Sequence, residues 1–309
     1  MLLARIARRF AGSVLVLILA SLVAYTILDF APGDAAQSLI GETASAEQIQ
    51  ALRAEMGLDR PFLARYLDYL SRAARGDLGE SLISGRPVTE LIGERFVSTL
   101  LLASAAMLLA SIFGVLLGIF TAARQGSPAD IGLMALTSLG MALPGFGIAM
   151  LMTLVFSLKL RLFPVAGGGS FAHLVLPAVT LALPLLAVVA RLSRSSLLDI
   201  ARSEFVLALR AKGIPRRLVW RKHILRNALV PVITMICLNF GHMLGGVFVI
   251  ETIYGWPGLG RMLVQAVFDR DYPLILGAVL LLAIIFQIIN LCIDLAHGIL
   301  DPRVGSEAV

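Results

Sequence analysis

Few side chains in this chain could do chemistry, and most of them lie inside long apolar runs. Asn239 and His242 are three residues apart, so a helix places them on one face. Gln287, Asn290 and Asp294 repeat the pattern at i, i+3 and i+7 on a later run. Polar groups at membrane depth are expensive and face a bundle interior or a wet path. Two roles compete for both sets: lining such a path, or hydrogen-bonding one helix to another. Metal binding by His242 is disfavoured, because no second His or Cys stands at ligand spacing. Met141, Pro144, Gly145 and Phe146 interrupt a third apolar run, forming either a bendable gate or a fixed kink. No phosphate-binding GxxxxGK[ST], no HExxH, no GxSxG and no CxxC is present. Nothing supplies catalytic chemistry.

A second kind of site is the basic stretch from Ser195 to Pro231. From Arg191 to Arg226 there are ten Lys/Arg against two acids, Asp199 and Glu204. Leu197, Ile200, Ala201, Phe205, Ala208 and Leu209 recur at helical spacing, with Arg202 and Arg210 outside the stripe. Gly213 supplies the left-handed residue that ends a helix, and Pro215 can open the next at its first position. The expected form is helix, sharp turn and second helix, the last running on into the membrane. Topology alone would not require that arrangement; it suits docking of a soluble partner.

The elements that must position these groups follow from composition. The 309 residues are 58% hydrophobic and 15% charged, with mean hydropathy +0.89, where a soluble domain has about 25% charged residues. The chain is an all-α, polytopic membrane protein, surrounded by membrane lipid. A net charge of +6 is concentrated at the N-terminus and in the basic stretch, which argues against a nucleic-acid face. Cys237 and Cys292 read as small core residues. Six spans are expected: Phe10 to Phe30, then about 96–122, 131–158, 174–193, 229–250 and 273–298. The positive-inside rule places the N-terminus, the 195–230 loop and the tail 301–309 in the cytoplasm.

Residues 31–95 carry ten acids against seven arginines and read as a small extracytoplasmic subdomain between the first two spans. Within it, Ser45-x-x-Gln48 has the form of a capping box and Gly57 of a helix stop; Pro61 opens another helix. RGDLGESLISGRPV is turn-rich, and Thr89 to Arg95 lead back to the membrane. Gly114-x-x-x-Gly118 and Gly241-x-x-x-Gly245 are faces for close helix approach. Tyr254 and Trp256 suit an interfacial belt.

ARSEFVLALRAKGIPRRLVWRKHILRNALVPVIT resembles the cytoplasmic signature of inner-membrane permease subunits of bacterial ABC importers, in the dipeptide/oligopeptide/nickel branch. The APGD turn, MGLDRPFLARYLDYLSRAARGDLGESL with GRPV, ETIYGWPGLGRMLVQAVFDRDYPLILG and the terminal DPR agree in order, so the likeness spans nearly the whole chain. It is similar to the first of two permeases. The resemblance implies a non-catalytic subunit importing di- or oligopeptides, with nickel or glutathione-like peptides as alternatives. It implies no cofactor on this chain, ATP and Mg residing in the partners. Those partners are a homologous second permease, two ABC ATPases and an extracytoplasmic substrate-binding protein. It makes the basic loop a coupling helix, implicating Glu204, Ala208, Arg210, Lys212, Gly213, Pro215, Arg216 and Arg217. The candidate path residues are Met141, Pro144, Phe146, Asn239, His242, Gln287 and Asn290. Where the family carries Glu-Ala-Ala, this chain has Leu207, Ala208 and Leu209. A self-sufficient secondary transporter would want buried acids or inverted repeats, and neither is evident.

Overall fold

The computed structural model describes the backbone of residues 2–30, 45–55, 57 and 59–300, and the side chains within 11–30, 45–51, 53–54, 57, 59–241, 243, 246–289 and 291. The APGD turn, the terminal DPR, and the side chains of His242, Gly245, Asn290, Cys292 and Asp294 lie outside the described residues. In chain order the helices are α1 (Leu2–Asp29), α2 (Ala46–Glu55), α3 (Phe62–Ala73), α4 (Val88–Ala123), α5 (Pro128–Ala142), α6 (Gly145–Met152), α7 (Phe171–Ala201), α8 (Glu204–Ala211), α9 (Arg216–Leu218), α10 (Leu225–Ile253), α11 (Leu259–Asp269) and α12 (Tyr272–Leu300). π-Helical turns extend α6 over Thr153–Lys159 and join α9 to α10 over Val219–Ile224. Among the described residues the backbone is almost wholly helical, as hydrocarbon demands of groups that cannot reach water.

Among the described residues five helices are long and apolar enough to cross a membrane: those within Ala11–Asp29, Val88–Ala123, Phe171–Ala201, Arg216–Gly241 and Tyr272–Ile289. The pair Pro128–Ala142 and Gly145–Lys159 makes a sixth if counted as one span, but it bends by 108°. Pro144 causes the break: it caps α6 from outside the helix, and Leu143 before it is extended. The bend is far sharper than a proline kink inside a continuous helix. By contrast Pro177 and Pro184 sit within α7 without ending it.

The chain divides into two compact units, Met1–Ser98 with Gly258–Leu291, and Thr99–Pro257 with the stretch from Cys292. In the first, Tyr66 and Tyr69 of α3 pack against Leu22, Tyr25 and Leu276. Tyr66 donates to the Ile18 carbonyl at 3.0 Å, and Arg65 pairs with Asp29 at 2.6 Å. The capping box forms: the Ser45 N–H donates to Gln48 Oε1 at 2.9 Å and the Gln48 N–H to Ser45 Oγ at 3.3 Å. Pro61 stands one position outside α3. Thr89 to Arg95 are already the first turns of α4, whose 36 residues reach about 54 Å, well beyond the roughly 30 Å hydrocarbon thickness.

In the second unit α7 is the central helix. A Cβ on Gly114 would lie 2.8 Å from Val189 Cβ, and one on Gly118 would collide with Ser193 Cβ, so the bare backbone of α4 packs directly on Val189 and Ser193 of α7. Ala106, Met107, Ala110, Leu185, Val189, Val232 and Met243 fill the core around this contact. Tyr254 and Trp256, expected in an outward-facing belt, are instead buried in the protein, 2% and 4% exposed. The Tyr254 hydroxyl reaches the Ala149 carbonyl at 3.1 Å and Thr180 Oγ1 at 2.9 Å, which gives its polar end a partner indoors. Cys237, expected in the core, is exposed on α10.

Gly118→Leu is expected to cost at least about 2 kcal/mol by forcing α4 from α7, whereas Gly132→Ala, with open space around it, should be neutral. Thermal unfolding of the detergent-solubilised protein measures both; equal melting temperatures would contradict the packing assignment.

Candidate functional site

The basic stretch folds in three pieces. α7 runs to Ala201, Arg202 and Ser203 break it, and α8 covers Glu204–Ala211. The apolar stripe read from the sequence as one helix is therefore divided between two. Its inner anchor is Val206, fully buried with Leu197, Val219, Ile224, Ala122 and Ala228; Leu209, Ile214 and Trp220 pack around them. Phe205 and Ala208, placed inside by the periodicity, are exposed. The break re-phases the helix and turns those positions outward. Leu209 is half-buried, with its side chain against this core.

Gly213 closes α8 with φ +76°, its N–H donating to the Arg210 carbonyl at 3.0 Å and the Ile214 N–H to Leu209 at 3.3 Å. This paired closure needs a left-handed residue after the helix. Pro215 is the cap before α9, one position earlier than expected, because φ −56° and ψ 135° leave it extended. The outer face is Glu204, Leu207, Ala208 and Ala211, at i, i+3, i+4 and i+7, flanked by exposed Arg210, Lys212, Arg216 and Arg217. Leu207 is 61% and Leu218 47% exposed: a small apolar ridge with cations at its edges.

The path candidates divide. Met141, Pro144 and Phe146 are exposed at the α5–α6 break. Asn239 is half-buried and donates to the Met235 carbonyl of its own helix at 2.9 Å. Gln287 accepts from Ser13 Oγ at 3.3 Å, an interhelical bond between α12 and α1. Among the described residues no group of three His, Cys, Asp or Glu could hold a metal. An apolar cavity of about 840 Å³ between α1 and α12, with Arg270 and Tyr272 in its wall, is lined by none of the described path candidates.

Three polar pairs, each built on a buried carboxylate, were missed. Arg194 grips Asp130 with two bonds of 2.7 Å. Thr99 donates to Glu251 at 2.6 Å, deep in the second unit. Ser81 Oγ donates to Asp271 Oδ2 at 2.5 Å and the Leu82 N–H to Oδ1 at 3.1 Å, which ties the turn-rich loop to the start of α12. The signals were local: Ser127-Pro-Ala-Asp130 is a helix start, and Asp271 stands just before α12 with Pro273 in its first turn.

An all-helical membrane protein with an exposed basic helix–turn–helix loop is the class these features define. The chain belongs to the family of binding-protein-dependent transport system inner membrane components, whose profile matches residues 114–306, with the family's N-terminal profile on residues 2–103. It is a permease of an ABC importer and an inner-membrane protein. It is 39% identical over 96% of its length to the glutathione transport system permease protein GsiC of Pectobacterium atrosepticum, of which the match covers 97%. The protein of that name from Escherichia coli strain K12 is 38% identical, with the same coverages. Solved structures share the fold: an amino acid ABC transporter at TM-score 0.53 and 16% identity, covering 67% of this chain and 92% of that one, and the MetNI methionine ABC transporter at TM-score 0.54 and 18% identity, covering 66% and 93%.

Replacing Asp271 with Ala should leave Ser81 and the Leu82 N–H without their acceptor, at about 1–3 kcal/mol. Limited proteolysis should then cut within residues 76–87 several-fold faster; an unchanged rate would contradict the pinning.

Proposed function

We propose that this permease forms half of a translocation path for short peptides and is driven through α8 by cytoplasmic ATPases. The observation that carries this is the outward ridge Glu204, Leu207, Ala208 and Ala211, held on a small core by Val206 and closed at Gly213. A ridge about two turns long with apolar centre and cationic rim fits a groove with an acidic lip. A homologous second permease supplies the other half of the path, and an extracytoplasmic binding protein delivers substrate. Two ABC ATPases hold the ATP and Mg; this chain binds neither and catalyses nothing. The N-terminus, the 195–230 loop and the tail are cytoplasmic, by the charge bias of those segments. Residues 31–95 form the extracytoplasmic subdomain, and they and the Glu251–Tyr272 segment are surfaces for the binding protein.

The substrate class rests on likeness to the glutathione permeases, so glutathione and other short peptides come first. Asn239 and His242 remain path candidates. For Gln287 the bond to Ser13 favours the interhelical role, and Asn290 stays a candidate beside it.

Gly213 has nothing within 4 Å of where a Cβ would be, so substitution acts through backbone strain alone. Gly213→Val is expected to abolish ATP-driven uptake while insertion persists, and Gly213→Asn, which tolerates the left-handed region, to retain most of it. Uptake of labelled glutathione and of a dipeptide panel by reconstituted importer measures this. Unchanged uptake in Gly213→Val would end the coupling assignment; nickel uptake without peptide uptake would change the substrate. Asn239→Leu with His242→Leu should alter transport of at least one peptide. Unaltered transport of every substrate would leave these residues as packing groups.

A further inference from the structure

α8 begins three residues after α7 ends at Ala201, so any displacement of α8 acts first on the end of α7. Arg194 stands two turns before that end. Its guanidinium donates from Nε to Asp130 Oδ1 and from a terminal N–H to Oδ2, both at 2.7 Å, with the Asp130 side chain only 3% exposed. Asp130 is itself fastened to the head of α5. Its Oδ2 accepts the Gly126 N–H at 3.0 Å, and its own N–H donates to the capping Ser127 Oγ at 3.2 Å. One turn back along α7, Arg191 donates to Ser138 Oγ at 2.7 Å. α5 is thus held to α7 by two polar links, and α5 ends at Ala142, immediately before the 108° break.

We infer that the Asp130–Arg194 pair is a positioning clamp. It carries displacement of α8 through the end of α7 into α5, turning the break that Met141 and Phe146 flank. The chemistry favours this over simple adhesion. A forked, two-bond contact fixes orientation as well as distance, whereas apolar side chains let helices slide and rotate. Asp130 is buried while Arg194 is a quarter exposed, and an ion pair with a buried partner is a poor stabiliser beside apolar packing, which favours a positioning role for this one. The contiguous elements it joins are rigid helices on both sides, the kind of connection that transmits a rigid-body shift. The inference rests on the coupling reading of α8.

The test uses the whole importer in nanodiscs, the permease carrying Met141→Cys with Cys237→Ser and Cys292→Ser. The readout is the rate of maleimide labelling at position 141 with and without ATP and vanadate, which needs no substrate. The expected result is a change of at least threefold with the clamp intact. Asp130→Asn should lose that change while co-purification with the ATPases and vanadate trapping stay within twofold. Asp130→Arg with Arg194→Asp should restore it, and Arg194→Lys, charged but not forked, should fall between. A full change in Asp130→Asn would overturn the clamp alone. Loss of the ATPases from Asp130→Asn and from the exchanged pair alike would make it a folding contact and overturn the clamp too. If Gly213→Val keeps the full change, the coupling reading falls instead. If the intact protein shows no change, the gate at the break and the clamp fall together.

Discussion

An eight-residue helix does not hold itself together in water, and every inference about α8 depends on what holds it. Val206 does: its side chain is wholly buried among residues from α4, α7 and the α9–α10 segment. With that one side chain inside, the register of the helix is set, and Leu207, Ala208 and Ala211 must face out. Gly213 then reverses the chain within two residues, so that the next helix returns along the same core. The ridge is exposed because its neighbour is not.

That core continues into the membrane segments of the same unit. α7 packs Val189 and Ser193 directly on Gly114 and Gly118 of α4, and meets α5 through the Asp130–Arg194 fork. Such contacts leave little room for independent motion, so α7 is better suited to move as a rod than to flex, despite Pro177 and Pro184 within it. The joint lies elsewhere, where Leu143 and Pro144 are extended and α5 and α6 meet at a 108° bend. Rigid rod and sharp joint are the two parts a coupled gate needs.

Much of the fold was legible in the sequence because the bilayer imposes a length and a polarity that single residues cannot disguise. The six apolar runs, the capping box at Ser45, the stop at Gly213 and the interruption at Pro144 are local signals with local causes. What stayed hidden depends on tertiary partners. Tyr254 and Trp256 have the chemistry of interfacial residues, but hydroxyl partners at Ala149 and Thr180 allow Tyr254 to be buried. Arg194 counted as one charge among ten in the basic stretch until Asp130, 64 residues away, made it structural. The stripe through Phe205 and Ala208 failed because two residues, Arg202 and Ser203, re-phased the helix, and periodicity read across a break assigns the wrong face.

The face of α8 is the claim on which the rest turns, and site-specific photo-crosslinking tests it most directly. A benzophenone side chain placed at Leu207, on the ridge, should crosslink an ATP-binding subunit in the assembled importer. The same group at Val206, on the buried side, should react only within this chain. Crosslinks to the ATPase from position 206 with none from 207, or from neither position in an importer that still transports, would contradict it.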